Sequence, residues 1–247
     1  MLKNSKKLIA FIPSAGFGTR LMPLTRQKPK ALVSFMGDPM LGRTIDKLSN
    51  LGIKRFIVNV HHYPEQIKAY LDTLDDKLDI RVSDETEELL DTGGGLYKAS
   101  KLLHDDEDVL LVHNVDLHTG FDLQKMIETH FENDNDITLA VSDRRSNRKL
   151  MFKDNELCGW KNTKTSELIK RFNCDTDVSL AFSGIHLVNK KVIKARQKDD
   201  AFPLIPWYLD MDAGVKIASW KHNPNEWFDL GTISRIEQAE KAIRNKQ

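Results

Sequence analysis

The residues of this 247-residue chain best suited to chemistry lie near its start. Gly16 and Gly18 stand in the run Ala15-Gly-Phe-Gly-Thr-Arg-Leu-Met-Pro-Leu-Thr25, and Lys28-Pro-Lys-Ala-Leu32 follows shortly after. Glycines so spaced let a backbone approach a ligand closely and turn successive N–H groups toward phosphate oxygens. Arg20 adds a planar fork of donors matched to phosphate, and Lys30 a second positive charge. Two familiar phosphate loops are excluded by spelling. A dinucleotide fingerprint requires a third glycine where the chain has Leu21, and no Walker-type Gly-x4-Gly-Lys-Ser/Thr string occurs.

Two aspartates stand where a metal would serve such a loop. Asp116 closes His113-Asn-Val-Asp116, directly after the apolar run Val109–Val112. Asp229 lies in Trp227-Phe-Asp-Leu-Gly-Thr232, between another expected strand and the last helix. Carboxylates at strand ends that face a ligand crevice suit Mg²⁺, which takes carboxylate oxygen, phosphate oxygen and water. Such an ion would shield repulsion between a phosphate nucleophile and a triphosphate, and orient both for in-line displacement. Alone, each aspartate has a plainer reading: Asp116 as a turn or capping residue, Asp229 as a residue ahead of a Gly231 turn with Thr232 as N-cap.

Taken together, these segments resemble the sugar-phosphate nucleotidyltransferases, whose signature loop is usually spelled Ala-Ala-Gly-x-Gly-Thr-Arg-x-x-Pro-Leu-Thr, then Pro-Lys. Pro13-Ser14 stands where that pattern more often has Leu-Ala, while the basic residues are intact. The resemblance implies that Ala15, Gly16, Gly18, Thr19 and Arg20 bind the triphosphate. It also implies that Arg20 and Lys30 stabilise charge as the α-phosphate is attacked, and that Asp116 and Asp229 hold Mg²⁺. Trp227, Asp229, Gly231 and Thr232 match the family's Trp-x-Asp-x-Gly-Thr string letter for letter, whereas Val115 replaces a glycine before the first aspartate. The implied reaction joins a sugar 1-phosphate to a nucleoside triphosphate and releases pyrophosphate. The implied fold is α/β and Rossmann-like, with a mostly parallel, mixed central sheet flanked by helices.

A second glycine run, Asp91-Thr-Gly-Gly-Gly95-Leu-Tyr-Lys-Ala99, links a short strand to a helix. Three glycines before a helix are entropically unfavourable unless something approaches the backbone there. A flat nucleobase lying over Thr92, Gly93 and Gly94 would do so; a flexible helix entry is the plainer account. This spelling is most similar to N-acetylmuramate 1-phosphate uridylyltransferases, and next to heptose 1-phosphate guanylyltransferases. In the second half, Ala181-Phe-Ser-Gly-Ile-His186 resembles a family strand whose glycine, here Gly184, lets the acceptor sugar sit against backbone. Lys161 lacks the usual Glu-Lys-Pro setting of the family's acceptor lysine and reads as a surface residue.

Positioning these residues requires alternating strands and helices. Apolar, β-rich runs at Leu8–Ile12, Phe56–Val60, Ile80–Val82, Val109–Val112 and Ile137–Val141 alternate with helical patterns. The helices begin at Met40 (closed by Gly52), near Pro64, and at Leu123, where Met126, Ile127, His130 and Phe131 continue one stripe. This alternation predicts a parallel sheet with helices on both faces. Beyond Asp143 the pattern changes to a hairpin over Lys149–Lys161 and a long strand over Val178–Val188. Helical segments follow around Val192–Gln197 and Pro206–Met211, then a strand near Val215–Trp220 and a last helix carrying Ile233, Ile236, Ala239 and Ile243. With no Ser/Gly/Pro-rich linker, the chain reads as a single domain over 1–247, its nucleotide-binding half roughly 1–142 and its sugar-phosphate-binding half 143–247.

Lys plus Arg (37) nearly balance Asp plus Glu (36), which argues against bulk attraction to nucleic acid or an anionic membrane. The apolar run after Met1 to Lys7 is too short for a signal-peptide core or a membrane span. Cys158 and Cys174 form no CxxC pair and no disulfide framework, so a reduced, cytoplasmic setting is expected. His61-His62 lacks a third zinc ligand at recognisable spacing, and Arg144, Arg145 and Arg148 form a basic patch without an assigned role. The partners that the resemblance implies are a nucleoside triphosphate and a sugar 1-phosphate, with the glycine-run spelling favouring UTP and N-acetylmuramate 1-phosphate. Another nucleotide with heptose, mannose, glucose or N-acetylglucosamine 1-phosphate is the alternative within the class, and a non-catalytic nucleotide-sugar sensor or scaffold the alternative outside it.

Overall fold

The computed structural model describes residues 7–176 and 178–245; the basic N-terminal residues 1–6 lie outside them. The first half runs β1 (Leu8–Ile12), β2 (Ser34–Phe35), β3 (Asp38–Pro39), α1 (Met40–Asn50), β4 (Arg55–Val60), α2 (Pro64–Leu71) and β5 (Asp79–Asp84). It continues through α3 (Asp91–Ser100), β6 (Val109–His113), β7 (Leu117–Thr119), α4 (Leu123–Glu132) and β8 (Ile137–Ser142). The second half contains β9 (Arg148–Lys153), β10 (Glu156–Asn162), β11 (Glu167–Lys170), β12 (Ser179–Asn189), α5 (Lys190–Lys194) and α6 (Leu204–Leu209). It ends with β13 (Ile217–Lys221), β14 (Trp227–Asp229) and α7 (Ile233–Arg244).

One ten-stranded sheet takes strands from both halves, in the order β11-β10-β13-β8-β12-β6-β1-β4-β5, with β9 pairing β10 and β12. The block β6-β1-β4-β5 is parallel, as the strand–helix alternation predicts. The long β12 joins it antiparallel, which makes the whole sheet mixed. All five residues of β1 are buried because they serve two cores. Leu8, Ala10 and Ile12 pack toward α1, α2, α4 and α7, whereas Ile9 and Phe11 pack toward α3, α5 and α6. The helices thus cover both faces. Asp154 (φ 50°) and Asn155 (φ 66°) make the tight turn of the β9–β10 hairpin, and Gly52 (φ 92°) closes α1.

Two expectations are corrected here. Cys158 and Cys174 are joined by a disulfide. β11 folds back on β10 with Gly159 opposite Lys170, so the chain returns past Cys158 and brings the α-carbons to 5.1 Å. The glycine run, in turn, does not precede its helix but lies inside it, since α3 begins at Asp91. Among the described residues no helix is long and apolar enough to cross a membrane.

Candidate active site

At the carboxyl ends of the parallel strands a cleft of about 240 Å³ opens between the loops after β1, β4, β5 and β6, where ligands of open α/β sheets bind. Ser14, Ala15, Gly16, Lys30, Asn59, Glu85 and Asp116 line it, with Asp91 and Thr92 at the far wall.

The loop after β1 is held from below by Asn59, the penultimate residue of β4. Its Oδ1 accepts hydrogen bonds from the N–H groups of Ser14 (2.5 Å) and Ala15 (3.2 Å), while its Nδ2 donates to Glu85 Oε1 (2.7 Å). Glu85 Oε2 accepts from Leu90 N–H (3.2 Å), just ahead of α3. One buried amide and one buried carboxylate therefore tie the loop after β1, the end of β4 and the loop between β5 and α3 together. Neither residue is prominent in the sequence; the available signal is an asparagine in the apolar end of a strand that points at a ligand crevice. Because the Ala15 N–H is engaged by Asn59, a ligand meets Ala15 through its other atoms. Beside the α-carbon of Gly16 there is open space.

Gly18 works differently. Its φ of 65° is left-handed, and a β-carbon there would sit 2.8 Å from Cβ of Lys30 and 3.0 Å from Cγ2 of Thr25. Its carbonyl accepts from the hydroxyl of Thr25 (2.9 Å). The glycine therefore lets the Lys30 segment close against the loop. Thr19, Arg20 and Leu21 follow as one 3₁₀ turn, with Thr19 and Arg20 exposed.

The two aspartates come from distant parts of the chain and meet on a two-stranded ladder outside the main sheet. β7 pairs antiparallel with β14, Leu117 facing Asp229, and the N–H of Leu230 donates to the carbonyl of Asp116 (2.8 Å). Asp116 is 9% exposed and ion-paired with Lys30. Asp229 accepts from the N–H of Gly231 (2.8 Å) through Oδ1 and is ion-paired with Arg235 through Oδ2. A β-carbon at Gly231 would lie 2.8 Å from both Arg20 Nη2 and Asp229 Oδ1, which explains the glycine of the Trp-x-Asp-x-Gly-Thr string. Lys30 and Asp116 thus line the cleft, and Arg20 and Asp229 meet at Gly231 on the ladder that begins just after Asp116. Two carboxylates facing cations offer an oxygen donor set that fits a hard divalent ion. Elsewhere, Asp79, His104 and Glu107 also approach one another, but Arg81 donates to both carboxylates there, with 2.7 and 2.8 Å bonds to Glu107. His113 and His118 flank the Asp116 loop, and burial pushes both down to about 4, so both rings are neutral near neutral pH.

Thr92 lines the far wall, and its hydroxyl accepts from Leu204 N–H (3.1 Å). Gly93 and Gly94 are turned elsewhere. Both N–H groups donate to the carbonyl of Phe202 (2.9 and 3.3 Å). β-Carbons there would strike the Phe202 ring (2.4 Å) and the Asp200 carbonyl (2.6 Å). Close packing of the 200–202 segment gives these two glycines a physical reason within the protein itself. Gly184 (φ 71°) is likewise packed against protein: a β-carbon would meet Asn114 Nδ2 and Leu117 Cδ1, each at 2.9 Å, and its carbonyl accepts from Asn114 N–H (3.1 Å). It seats the loop that carries Asp116. Lys161 lies in β10 opposite Leu168 of β11.

Comparison with known proteins identifies the family. The family model for nucleotidyl transferase matches residues 9–152. The chain belongs to this family, the sugar-phosphate nucleotidyltransferases. It is 27% identical over 244 residues to the N-acetylmuramate alpha-1-phosphate uridylyltransferase of Caulobacter vibrioides, covering 94% of this chain and 98% of that protein. It is 28% identical over 231 residues to mannose-1-phosphate guanylyltransferase 1 of Arabidopsis thaliana, covering 90% of this chain and 61% of that longer protein. Among solved structures, one from Bacillus anthracis assigned as a glucose-1-phosphate thymidylyltransferase superposes with a TM-score of 0.77 at 16% identity, over 96% of both chains. HddC from Yersinia pseudotuberculosis superposes at 0.73 with 21% identity, over 95% of this chain and 99% of that one. At these identities the structural likeness concerns the fold.

Proposed function

We propose that the protein transfers the uridylyl group of UTP to N-acetylmuramate 1-phosphate in an Mg²⁺-dependent reaction that releases pyrophosphate. The observation that carries the chemistry is the meeting of Asp116 and Asp229 beside Lys30 and Arg20, at the edge of a cleft opened by the loop after β1. A site that only bound a nucleotide-sugar would have no need of two carboxylates set against two cations. The choice of acceptor is supported by the uridylyltransferase relative, which this chain matches nearly end to end.

In this mechanism the open backbone at Gly16 and the guanidinium of Arg20 receive the triphosphate. Lys30 neutralises charge that builds on the α-phosphate as the acceptor's phosphate attacks it. Asp116 and Asp229 would hold Mg²⁺, whose charge would screen the two phosphates from one another. The nucleophile is already an anion, so no protein base is required, and catalysis rests on alignment and charge neutralisation. Thr92 and Asp91 are the groups best placed to meet the base across the cleft. Similar identity to mannose-1-phosphate guanylyltransferases supports a second pair, GTP with a mannose 1-phosphate.

The test is pyrophosphate release with Mg²⁺ across UTP, GTP, CTP, ATP and dTTP, each with N-acetylmuramate, N-acetylglucosamine, glucose, mannose and heptose 1-phosphates. Release confined to UTP with N-acetylmuramate 1-phosphate is expected. Release with a different pair would retain the mechanism and replace the substrates, and none with any pair would sink the transferase reading.

A further inference from the structure

The acceptor half contains a half-buried cation, Arg144, that makes no direct ion pair among the described residues, although Asp229 lies close enough to act on it electrostatically. Arg144, in the turn between β8 and β9, lies with its guanidinium carbon 4.1 Å from the centre of the Trp227 ring. Its Nη2 donates to the carbonyl of Phe182 (2.7 Å), but its Nε is buried with no hydrogen-bond partner. The nearby carboxylates are engaged by other cations, Asp143 by Lys221 (3.2 Å) and Asp229 by Arg235. Taking a guanidinium out of water without an anion is unfavourable, so the arrangement is incomplete as it stands. Burial holds the Arg144 pKa below the usual arginine value, yet the group stays a cation. Arg145 and Arg148, by contrast, are exposed to water.

Trp227 gives this cation a direction. Its indole N–H donates to the carbonyl of Ser183 (2.9 Å), which fixes the ring. It also stands two residues before Asp229 on β14. Alternate residues of a strand share a face, roughly 7 Å apart. The guanidinium over Trp227 therefore lies on the side of β14 that presents the Asp229 carboxylate. Both groups are anchored on neighbouring carbonyls of β12, Arg144 on Phe182 and Trp227 on Ser183, where the pairing of β12 with β8 shifts register. Stacking on the indole sets the plane of the guanidinium, so a ligand would meet donors already oriented.

We infer that Arg144, stacked on Trp227 one residue pair from Asp229, binds an oxyanion of the acceptor: its 1-phosphate, or a carboxylate carried by the sugar. This rests on the sugar-phosphate transferase reading of the cleft. It assigns a role to a cation that the loop signature leaves unused, and it places the acceptor's negative charge on the β14 side of the reacting centre.

The experiment is calorimetric titration of acceptor with the triphosphate site filled by a UTP analogue bridged by methylene between its α and β phosphorus atoms. The proteins are wild type, Arg144→Met, Arg144→Lys and the exposed control Arg148→Met. The acceptors are N-acetylglucosamine 1-phosphate, with a phosphate alone, and N-acetylmuramate 1-phosphate, with a phosphate and a carboxylate. Arg144→Met should weaken acceptor binding roughly 10–100-fold, as loss of a charged hydrogen bond does. Arg144→Lys should recover part of it, Arg148→Met should match wild type, and affinity for the UTP analogue should be unchanged throughout. Equal loss for both sugars assigns the phosphate, and loss confined to the muramate assigns the carboxylate. Undiminished acceptor binding by Arg144→Met, or a parallel loss of nucleotide affinity, overturns the proposal while leaving the transferase reading in place. A wild type active only with another sugar 1-phosphate moves the same comparison to that sugar, and one that binds no sugar 1-phosphate removes both ideas together.

Discussion

The N–H of Leu230 donates to the carbonyl oxygen of Asp116 across 2.8 Å. The main chain just after one carboxylate is thereby bonded to the residue that bears the other. The two acidic groups are held in register by backbone, not by side-chain packing that could relax.

Removing either carboxylate should therefore abolish turnover without unfolding the protein. Asp116→Asn and Asp229→Asn keep the shape, leave the ladder bond intact and withdraw one oxygen charge. Pyrophosphate release should fall by about 10²–10³ or more in each, the scale of losing a preorganised electrostatic contact. Thermal unfolding followed by circular dichroism should show a folded protein in both cases. Activity that survives both substitutions would mean that the reacting centre lies elsewhere.

The glycines of the site divide into those that make room for protein and those that leave room for a ligand. Gly231→Ala would drive a methyl into Arg20 and Asp229, each 2.8 Å away, and should lower kcat about tenfold or more by displacing them. Gly16→Ala meets no atom within 4 Å, so stability should stay within about 0.5 kcal/mol of wild type. A raised KM for the triphosphate in that variant would report the ligand's approach to the loop. Steady-state kinetics and urea unfolding on the two proteins separate these effects.

Asn59→Leu should affect both stability and nucleotide binding. It strands two backbone donors, at Ser14 and Ala15, and takes from buried Glu85 its amide partner. The expected loss is about 2–4 kcal/mol in urea unfolding, since each buried group left unpaired costs about 1–3 kcal/mol. KM for the triphosphate should rise with it. An unchanged unfolding midpoint would show that the loop holds its shape without the amide.

The protein should lose stability on mild acidification. His186 is buried against Tyr208, neither ring nitrogen has a partner, and burial pushes its pKa down to about 3. In the unfolded chain the same ring titrates near about 6.5. Between those values the unfolded state binds the extra proton, so its contribution is complete above pH 6.5 and is lost progressively as pH falls toward 3. The slope reaches at most about 1.4 kcal/mol per pH unit for one group. His113, pushed down to about 4, adds a slope of the same sign. Urea midpoints at pH 7, 6 and 5 should decline, and less steeply in His186→Leu; parallel declines would show that His186 is not a source.

Much of the fold and the core of the site are legible in the sequence because they depend on contiguous strings. Three of the parallel strands, β1, β4 and β6, are largely buried, mostly apolar runs of ordinary length, and the loop bearing Gly16, Gly18 and Arg20 directly follows the first of them. Asp229 was visible through its neighbours Trp227, Gly231 and Thr232. What escaped depends on contacts between distant residues. Asn59 acts on residues more than forty positions earlier, and a lone asparagine in an apolar strand has no period to betray it. Strands as short as β7 and β14 leave no pattern at all. Gly93 and Gly94 suggest an opening toward a ligand when taken as a string, and their bond to Phe202, more than a hundred residues later, is not visible there. The bond between Cys158 and Cys174 follows from the return of β11 along β10, which spacing does not encode.

The ladder of β7 and β14 has a consequence for how the protein comes into being. During synthesis the phosphate loop, Lys30 and Asp116 emerge long before Asp229. A nascent chain that has not yet released β14 possesses the cleft but lacks the second carboxylate, the Trp227 platform and the bond that ties Leu230 to Asp116. In the proposed reaction, competence is thus deferred until the Trp227–Asp229 segment has been made, more than a hundred residues after Asp116.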